Sequence, residues 1–243
     1  MQLHSGVRWI AAQLERHPGA YGLASRADSK LVATEYGYLS SFARAERDVF
    51  FLQIGAHDGK TNDKLHDFVR KYRWRGVFVE PVPYLFDRLV RNYSGLPGLA
   101  FENKALGDDD GRRTFYWLRQ NDDSLPSWYD QIGSFDRRII LSHKEQIPNI
   151  EDYLVSRPVD CISFQTLVNI HRISRIDLIL IDTEGYDFKI LQQIDFSRFC
   201  PKLVIYEHIH LSAADKQRAR TLLTDRGYVM FNGDMNDLAT TSR

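Results

Sequence analysis

Three short segments hold residues whose types and spacing suit chemistry. The first is Gly55-Ala56-His57-Asp58-Gly59, directly after the apolar run Val49–Ile54. Two glycines four apart permit a tight strand-to-helix turn and a close approach of a ligand to the backbone. The second is Glu80, which closes the run Gly76–Val79. A carboxylate there can accept two hydrogen bonds from a ribose diol. The third is a pair of neighbouring strand ends: Asp182 and Glu184 after one apolar run, then Glu207, His208 and His210 after the next. Such groups can take a proton from a hydroxyl or orient it. In an extended segment His208 and His210 share one face and Glu207 takes the other. Imidazole titrates near neutrality, which suits a base. Asp182, Glu207 and His208 are the candidate catalytic residues. Glu184 also suits the first turn of a following helix. No fixed metal-ligand spacing is present, so no metal ligands are assigned; a divalent ion stays compatible with the mixture of acids and histidines.

The first turn discriminates between ligands. A dinucleotide site wants G-x-G-x-x-G, with pyrophosphate against the helix N-terminus. Here the pattern is Gly-x-x-x-Gly with Asp58 inside it, and that carboxylate repels pyrophosphate. The same charge tolerates the cationic sulfonium or ammonium of S-adenosylmethionine. Gly55, Ala56, His57, Asp58, Gly59 and Glu80 are the candidate cofactor contacts. His57 either hydrogen-bonds the ligand or fills the turn. An NAD(P)-dependent oxidoreductase and a non-catalytic nucleoside-binding module are the alternatives.

These residues need a scaffold of strands and crossover helices. Runs at 49–54, 76–80, 100–103, 176–181 and 202–206 read as strands covered on both faces, as in parallel sheets. Between them, helical spacing appears at 65–72, 85–93 and 188–194. This alternation signals a parallel sheet with crossover helices. Ser212, with Asp215 three residues on, opens a further helix that ends near Gly227. Residues 228–231 and 237–239 close the sheet as a hairpin. Residues 108–160 interrupt the rhythm as an insertion. Within it 113–118 reads as an edge strand, 135–142 as helical and 157–162 as extended. Residues 1–48 form a helical extension, with one helix over 3–14, a break at His17-Pro18-Gly19 and another over 28–44. The main domain is then 49–243. Trp74, Trp117 and Trp128 are expected in cores. His4, His17, His66, His143 and His171 are expected at the surface without partners.

With the strand ends in place, the chain resembles the FkbM family of S-adenosylmethionine-dependent methyltransferases over about residues 49–240. The resemblance rests on Phe51-Leu52-Gln53-Ile54-Gly55-Ala56-His57-Asp58-Gly59, Val79-Glu80-Pro81, Ile176–Ile181 followed by Asp182-Thr183-Glu184-Gly185, and Ile205-Tyr206-Glu207-His208. It implies a class I methyltransferase (Rossmann-like) α/β fold: a mostly parallel seven-stranded sheet with helices on both faces. It implies O-methylation of a sugar, glycan or natural-product hydroxyl, with S-adenosyl-L-methionine as cofactor. The family's first motif often reads Asp-Val-Gly-Ala-Asn; here Gln53 and His57 stand at the Asp and Asn positions. The resemblance also sets Ser134 near the ligand pocket, whereas by sequence alone Ser134 is a helix N-cap.

Composition removes several classes. Hydrophobic residues make up 43% and charged residues 26%, as in folded globular proteins. The 32 Lys and Arg balance the 32 Asp and Glu, so the net charge is +0. A chain that coats nucleic acid carries a cationic excess, so a small-molecule or glycan acceptor is expected and no nucleic acid. No membrane span and no secretory signal are visible. Cys161 and Cys200 read as two buried free thiols of a cytoplasmic protein. A homodimer stays open.

Overall fold

The computed structural model describes residues 35–120 and 125–241. The expected helix over 3–14 and its break at 17–19 lie outside these residues, as do His4 and His17. The main sheet has seven strands: β1 (Phe50–Ile54), β2 (Arg75–Val79), β3 (Leu99–Glu102), β7 (Leu178–Ile181), β8 (Leu203–Glu207), β9 (Tyr228–Asn232) and β10 (Asn236–Thr241). They lie in the order β3-β2-β1-β7-β8-β10-β9. Pairing is parallel from β3 to β8, and β10 runs antiparallel to both β8 and β9. The sheet is thus mostly parallel and Rossmann-like. The closing hairpin inserts its second strand between β8 and β9.

Helices cover both faces because the strand residues are apolar on both faces. Leu52, Ile54, Val77, Val79, Ile179 and Ile181 form one buried layer with α5 (Phe164–Ile170), α6 (Asp187–Gln193) and α7 (Ala213–Thr224). Phe51, Phe78, Leu178, Leu180 and Ile205 form the other with α1 (Glu35–Ala45), α2 (His66–Tyr72) and α3 (Pro83–Asn92). Tyr38, Leu39 and Phe42 of α1 are buried in that second layer. Pro83 sits in the first turn of α3, where its missing N–H is harmless. The Ser212 hydroxyl accepts from the Asp215 N–H and caps α7, as its spacing predicts.

The segment between β3 and α5 builds a second sheet. Residues 113–118 are an edge strand, as expected, but of this smaller sheet. They belong to β5 (Gly111–Leu118), which pairs antiparallel with β6 (Leu154–Ile162) over eight residues. With β4 (Ala105–Leu106) these make a separate three-stranded sheet. Its inner face buries Phe115, Trp117 and Val159 against Val82 and Leu85. A short α4 (Arg137–Leu141) follows between β5 and β6.

Side-chain placement corrects three further expectations. Cys161 is buried, but Cys200 is exposed in a left-handed turn with φ 40°. Trp74 and Trp117 are core residues, while Trp128 is only partly buried. His66, His143 and His171 are half-buried rather than free at the surface: His66 Nδ1 lies 2.7 Å from the Gly59 carbonyl, His171 Nε2 lies 3.0 Å from Glu102 Oε1, and the His143 ring packs on Trp128.

Candidate active site

From β1 the chain moves through β2 and β3 to one side, whereas β7 and β8 extend to the other. The point where the order reverses leaves a crevice at the carboxyl ends of the strands. A cleft of about 1360 Å³ opens there. Its walls come from the loops after β1, β2, β7 and β8 and from Gln131–Phe135.

At one end lies Glu80. It is buried, and both carboxylate oxygens hold backbone: Oε2 accepts from the His57 N–H at 2.8 Å and Oε1 from the Val82 N–H at 2.9 Å. Burial raises its pKa to about 7, against the opposing hydrogen bond from Val82 and the charge of His57. His57 has a left-handed backbone, φ 51°. Its Nε2 lies 3.1 Å from Asp130 Oδ1, and Arg88 Nη1 donates to Asp130 Oδ2 at 2.9 Å. Burial alone would lower the His57 pKa. Asp130 and Asp58 outweigh it and raise the imidazole to about 9, so it is cationic at neutral pH.

The glycine turn works differently from the expectation of close ligand approach. Gly55 has φ 78°, and a Cβ there would collide with the Asp182 carbonyl oxygen. Gly59 has φ 65°, and its Cβ would run into Leu89 and Tyr93. Gly55, Ala56 and His57 line the cleft, but Asp58 and Gly59 do not. Asp58 accepts from the Lys60 and Thr61 N–H groups at 2.8 and 2.7 Å and from the Thr61 hydroxyl at 2.7 Å. Burial pushes its carboxyl up, but His57 and these donors overcome that and hold it well below the usual range. Its charge closes the turn instead of facing a ligand.

At the other end the expected acids converge. Asp182 lines the cleft, half-buried, with Lys64 Nζ 3.2 Å from its Oδ2. Glu184 and Glu207 line it too. Glu184 sits at φ 52° ahead of Gly185 at φ 96°, a left-handed pair. The following Asp187, fully buried, accepts from the Thr183 and Gly185 N–H groups at 3.2 and 3.1 Å and fixes this loop. Burial and the neighbouring Asp182 raise Asp187 to about 7. Glu207 is buried, and burial together with Glu184, Asp182 and Asp187 pushes it up to about 11.

The two histidines separate, contrary to the extended geometry expected of 207–210. β8 ends at Glu207, and the chain turns, with the Leu211 N–H donating to the His208 carbonyl. His208 is thereby directed away from the cleft. Its Nε2 lies 3.1 Å from the Gly233 carbonyl and 3.6 Å from Asp237 Oδ1. His210 instead joins Glu184, with Nε2 2.8 Å from Oε2. Ser134 also differs from its N-cap reading: Asp136 caps α4. The buried Ser134 hydroxyl donates to the Glu184 carbonyl at 2.7 Å, behind the cleft wall. Asp130, Lys64 and Gln53 were missed as functional candidates. Asp130 sits in the 3-10 turn Tyr129–Gln131 and Lys64 in a loop, neither with any motif. Gln53 stands at a named motif position, yet its type alone gave no role.

The cleft suits a cationic nucleoside. Eight carboxylates line it, against Lys64, Lys104 and His57. Gln53 Oε1 and Thr183 Oγ1, buried atoms of two residues that line it, have no hydrogen-bond partner among the described residues. That acidic lining fits the positive charge of S-adenosylmethionine. The sequence profile of the methyltransferase FkbM domain matches residues 53–230, well over half of the chain. The chain belongs to the FkbM methyltransferase family. A methyltransferase FkbM from Methylobacillus flagellatus KT is similar in fold, with TM-score 0.50 and 14% identity over 96% of this chain and 60% of that one. This chain therefore spans less than two thirds of that protein. The fibrillarin pre-rRNA processing protein of Methanococcus jannaschii superposes with TM-score 0.42 and 13% identity, over 81% of this chain and 68% of the other. A search among curated proteins gave no match. Membership of the FkbM family makes the chain an S-adenosylmethionine-dependent methyltransferase, and methyl transfer rather than hydride transfer its reaction. Among the described residues no helix is long and apolar enough to cross a membrane.

Proposed function

We propose that this FkbM-family chain methylates a hydroxyl of a sugar, glycan or natural product, with residues 49–243 as the catalytic unit in a class I methyltransferase arrangement. The observation that carries this reading is one cleft with two chemically distinct ends: Glu80 and His57 at one, Asp182, Glu184 and Glu207 at the other. S-Adenosylmethionine supplies an electrophilic methyl group. The chain's residues must then orient an acceptor oxygen and remove its proton.

Gly55, Ala56, His57 and Glu80 form the cofactor wall, and Asp58, Gly59 and Ser134 support it from behind. Asp182 receives the acceptor proton, since it lines the cleft beside the Lys64 ammonium. Glu207 positions the acceptor oxygen. His210 takes the place that sequence spacing assigned to His208. The free thiols of Cys161 and Cys200 suit a reducing, cytoplasmic setting.

The test is calorimetry with S-adenosylhomocysteine, followed by radiolabelled methyl transfer to a panel of hydroxylated acceptors. Binding with turnover on a sugar or polyketide hydroxyl is expected. Binding without turnover across the panel would favour a non-catalytic module. Absence of binding would end the reading.

A further inference from the structure

We infer that Glu184, Glu207 and His210 form a binding site for one divalent transition-metal ion at the acceptor end of the cleft. The three side chains come from two separate loops, after β7 and after β8. Their donor atoms all lie within 4.8 Å of one another. Donors around a bound ion at about 2.1 Å stand roughly 3 to 4.3 Å apart, so a small contraction closes the set. His210 Nε2 and Glu184 Oε2, at 2.8 Å, form a direct ion pair that must open slightly to admit an ion between them.

A second observation points the same way. Glu207 is 4% exposed, and its Oε2 has no hydrogen-bond partner among the described residues. Glu184, 8% exposed, is already partnered: its Oε2 lies 2.8 Å from His210 Nε2. The buried Glu207 oxygen, left without a partner beside the Glu184–His210 pair, is costly unless something binds there. Asp182 and Asp187 crowd the site, with Lys64 and His210 as the neighbouring cations. An entering dication would take the place of the protons that these crowded acids hold.

The donor set selects the ion. Two carboxylates and one imidazole favour Mn²⁺ or Zn²⁺ over Mg²⁺ or Ca²⁺, which prefer oxygen alone. Binding requires both carboxylates ionised and His210 neutral, so protons leave to solvent as the ion enters. Glu184 and Glu207 line the cleft and His210 does not. The open coordination positions therefore face the space in which an acceptor oxygen would lie. This last point rests on the proposed acceptor end; the ion site itself does not.

The experiment titrates the chelator-treated full chain with Mn²⁺ alone and Zn²⁺ alone, and separately with S-adenosylhomocysteine. One bound Mn²⁺ per chain is expected. Glu207→Gln and His210→Gln are each expected to weaken Mn²⁺ at least about 100-fold, with S-adenosylhomocysteine affinity changed less than about threefold. Nitrogen coupling in the electron-spin-echo spectrum of Mn²⁺ on the unaltered chain tests the imidazole ligand without any variant. No stoichiometric metal binding, affinity unchanged in both variants, or no nitrogen coupling would each overturn the site. Binding of S-adenosylhomocysteine without metal binding overturns the ion site and leaves the methyltransferase reading standing. Metal binding without S-adenosylhomocysteine binding supports the ion site and strikes only the cofactor reading.

Discussion

The His57 N–H donates to the Glu80 carboxylate across 2.8 Å, so the residue proposed here for a ribose fastens the turn after β1 to the end of β2. On that proposal, binding and loop order are coupled through one side chain. Glu80→Gln keeps one acceptor oxygen and turns an N–H₂ toward a backbone N–H. It is expected to weaken S-adenosylhomocysteine at least about tenfold and to cost about 1–2 kcal/mol of stability. Calorimetry and urea unfolding read the two effects separately. Full affinity in Glu80→Gln would remove Glu80 from the cofactor wall.

The pH dependence of stability follows from His57. Its imidazole titrates at about 9 in the folded chain, against about 6.5 unfolded. The native state thus holds its proton more tightly, and stability falls as pH rises between those values. The contribution is complete below about 6.5 and lost above about 9; it amounts to about 3 kcal/mol at most, as 2.5 pH units at 1.36 kcal/mol each. Glu80 and Asp187, each raised to about 7, slope the same way at lower pH, because buried acids favour the protonated fold. Urea unfolding of the chain without ligand is expected to show greater stability at pH 6 than at pH 9. His57→Gln should flatten the slope between 6.5 and 9. A slope unchanged in that variant would mean that Asp130 and Asp58 do not hold the proton there.

The scaffold was readable because its signals are local. The strands β1, β2, β7 and β8 are continuous apolar runs, and Ser212 with Asp215 marks a helix start by spacing alone. The acids of the site were readable because they close those runs. What failed was geometry set by long-range pairing. β5 is the edge strand its pattern predicts, but the sheet it edges is set by β6, some forty residues on, which no local signal names. His208 and His210 part company because β8 stops at Glu207, three residues short of the extended run that the alternation assumes. Asp130 reaches His57 across 73 positions, and no spacing rule records that.

The glycines separate two costs. Gly55 and Gly95 have nearly the same positive φ, 78° and 79°. At Gly95 nothing lies within 4 Å of an added Cβ, while at Gly55 the Asp182 carbonyl blocks it. Gly95→Ala is expected to cost about 1–2 kcal/mol, the left-handed penalty alone. Gly55→Ala should cost about 3 kcal/mol or more, because backbone from the β7 loop must also shift. It should further weaken S-adenosylhomocysteine, since that shift moves Asp182 on the cleft wall. Equal unfolding midpoints for the two variants would show that the contact between the β1 and β7 loops is slack.

The two histidines after β8 provide the sharpest contrast between sequence and structure. His208 is tied to the hairpin loop: its ring faces the Gly233 carbonyl and the fully buried Asp237, which also accepts from Tyr206 Oη at 2.9 Å and Arg220 Nε at 2.7 Å. Its role is to join β8 to the β9–β10 turn. His208→Gln, which can still donate to Gly233, is therefore expected to lose about 1 kcal/mol of stability while methyl transfer stays within about threefold. His210→Gln removes the partner that positions Glu184 on the cleft wall and one ligand of the proposed ion, and kcat should fall by about 100-fold, the scale of a lost metal ligand or its support. S-Adenosylhomocysteine binding should stay near normal, because His210 lies away from Glu80. Steady-state kinetics on both variants, alongside unfolding curves, decide the matter. A larger loss of kcat in His208→Gln than in His210→Gln would return the catalytic assignment to the residue that strand alternation selects.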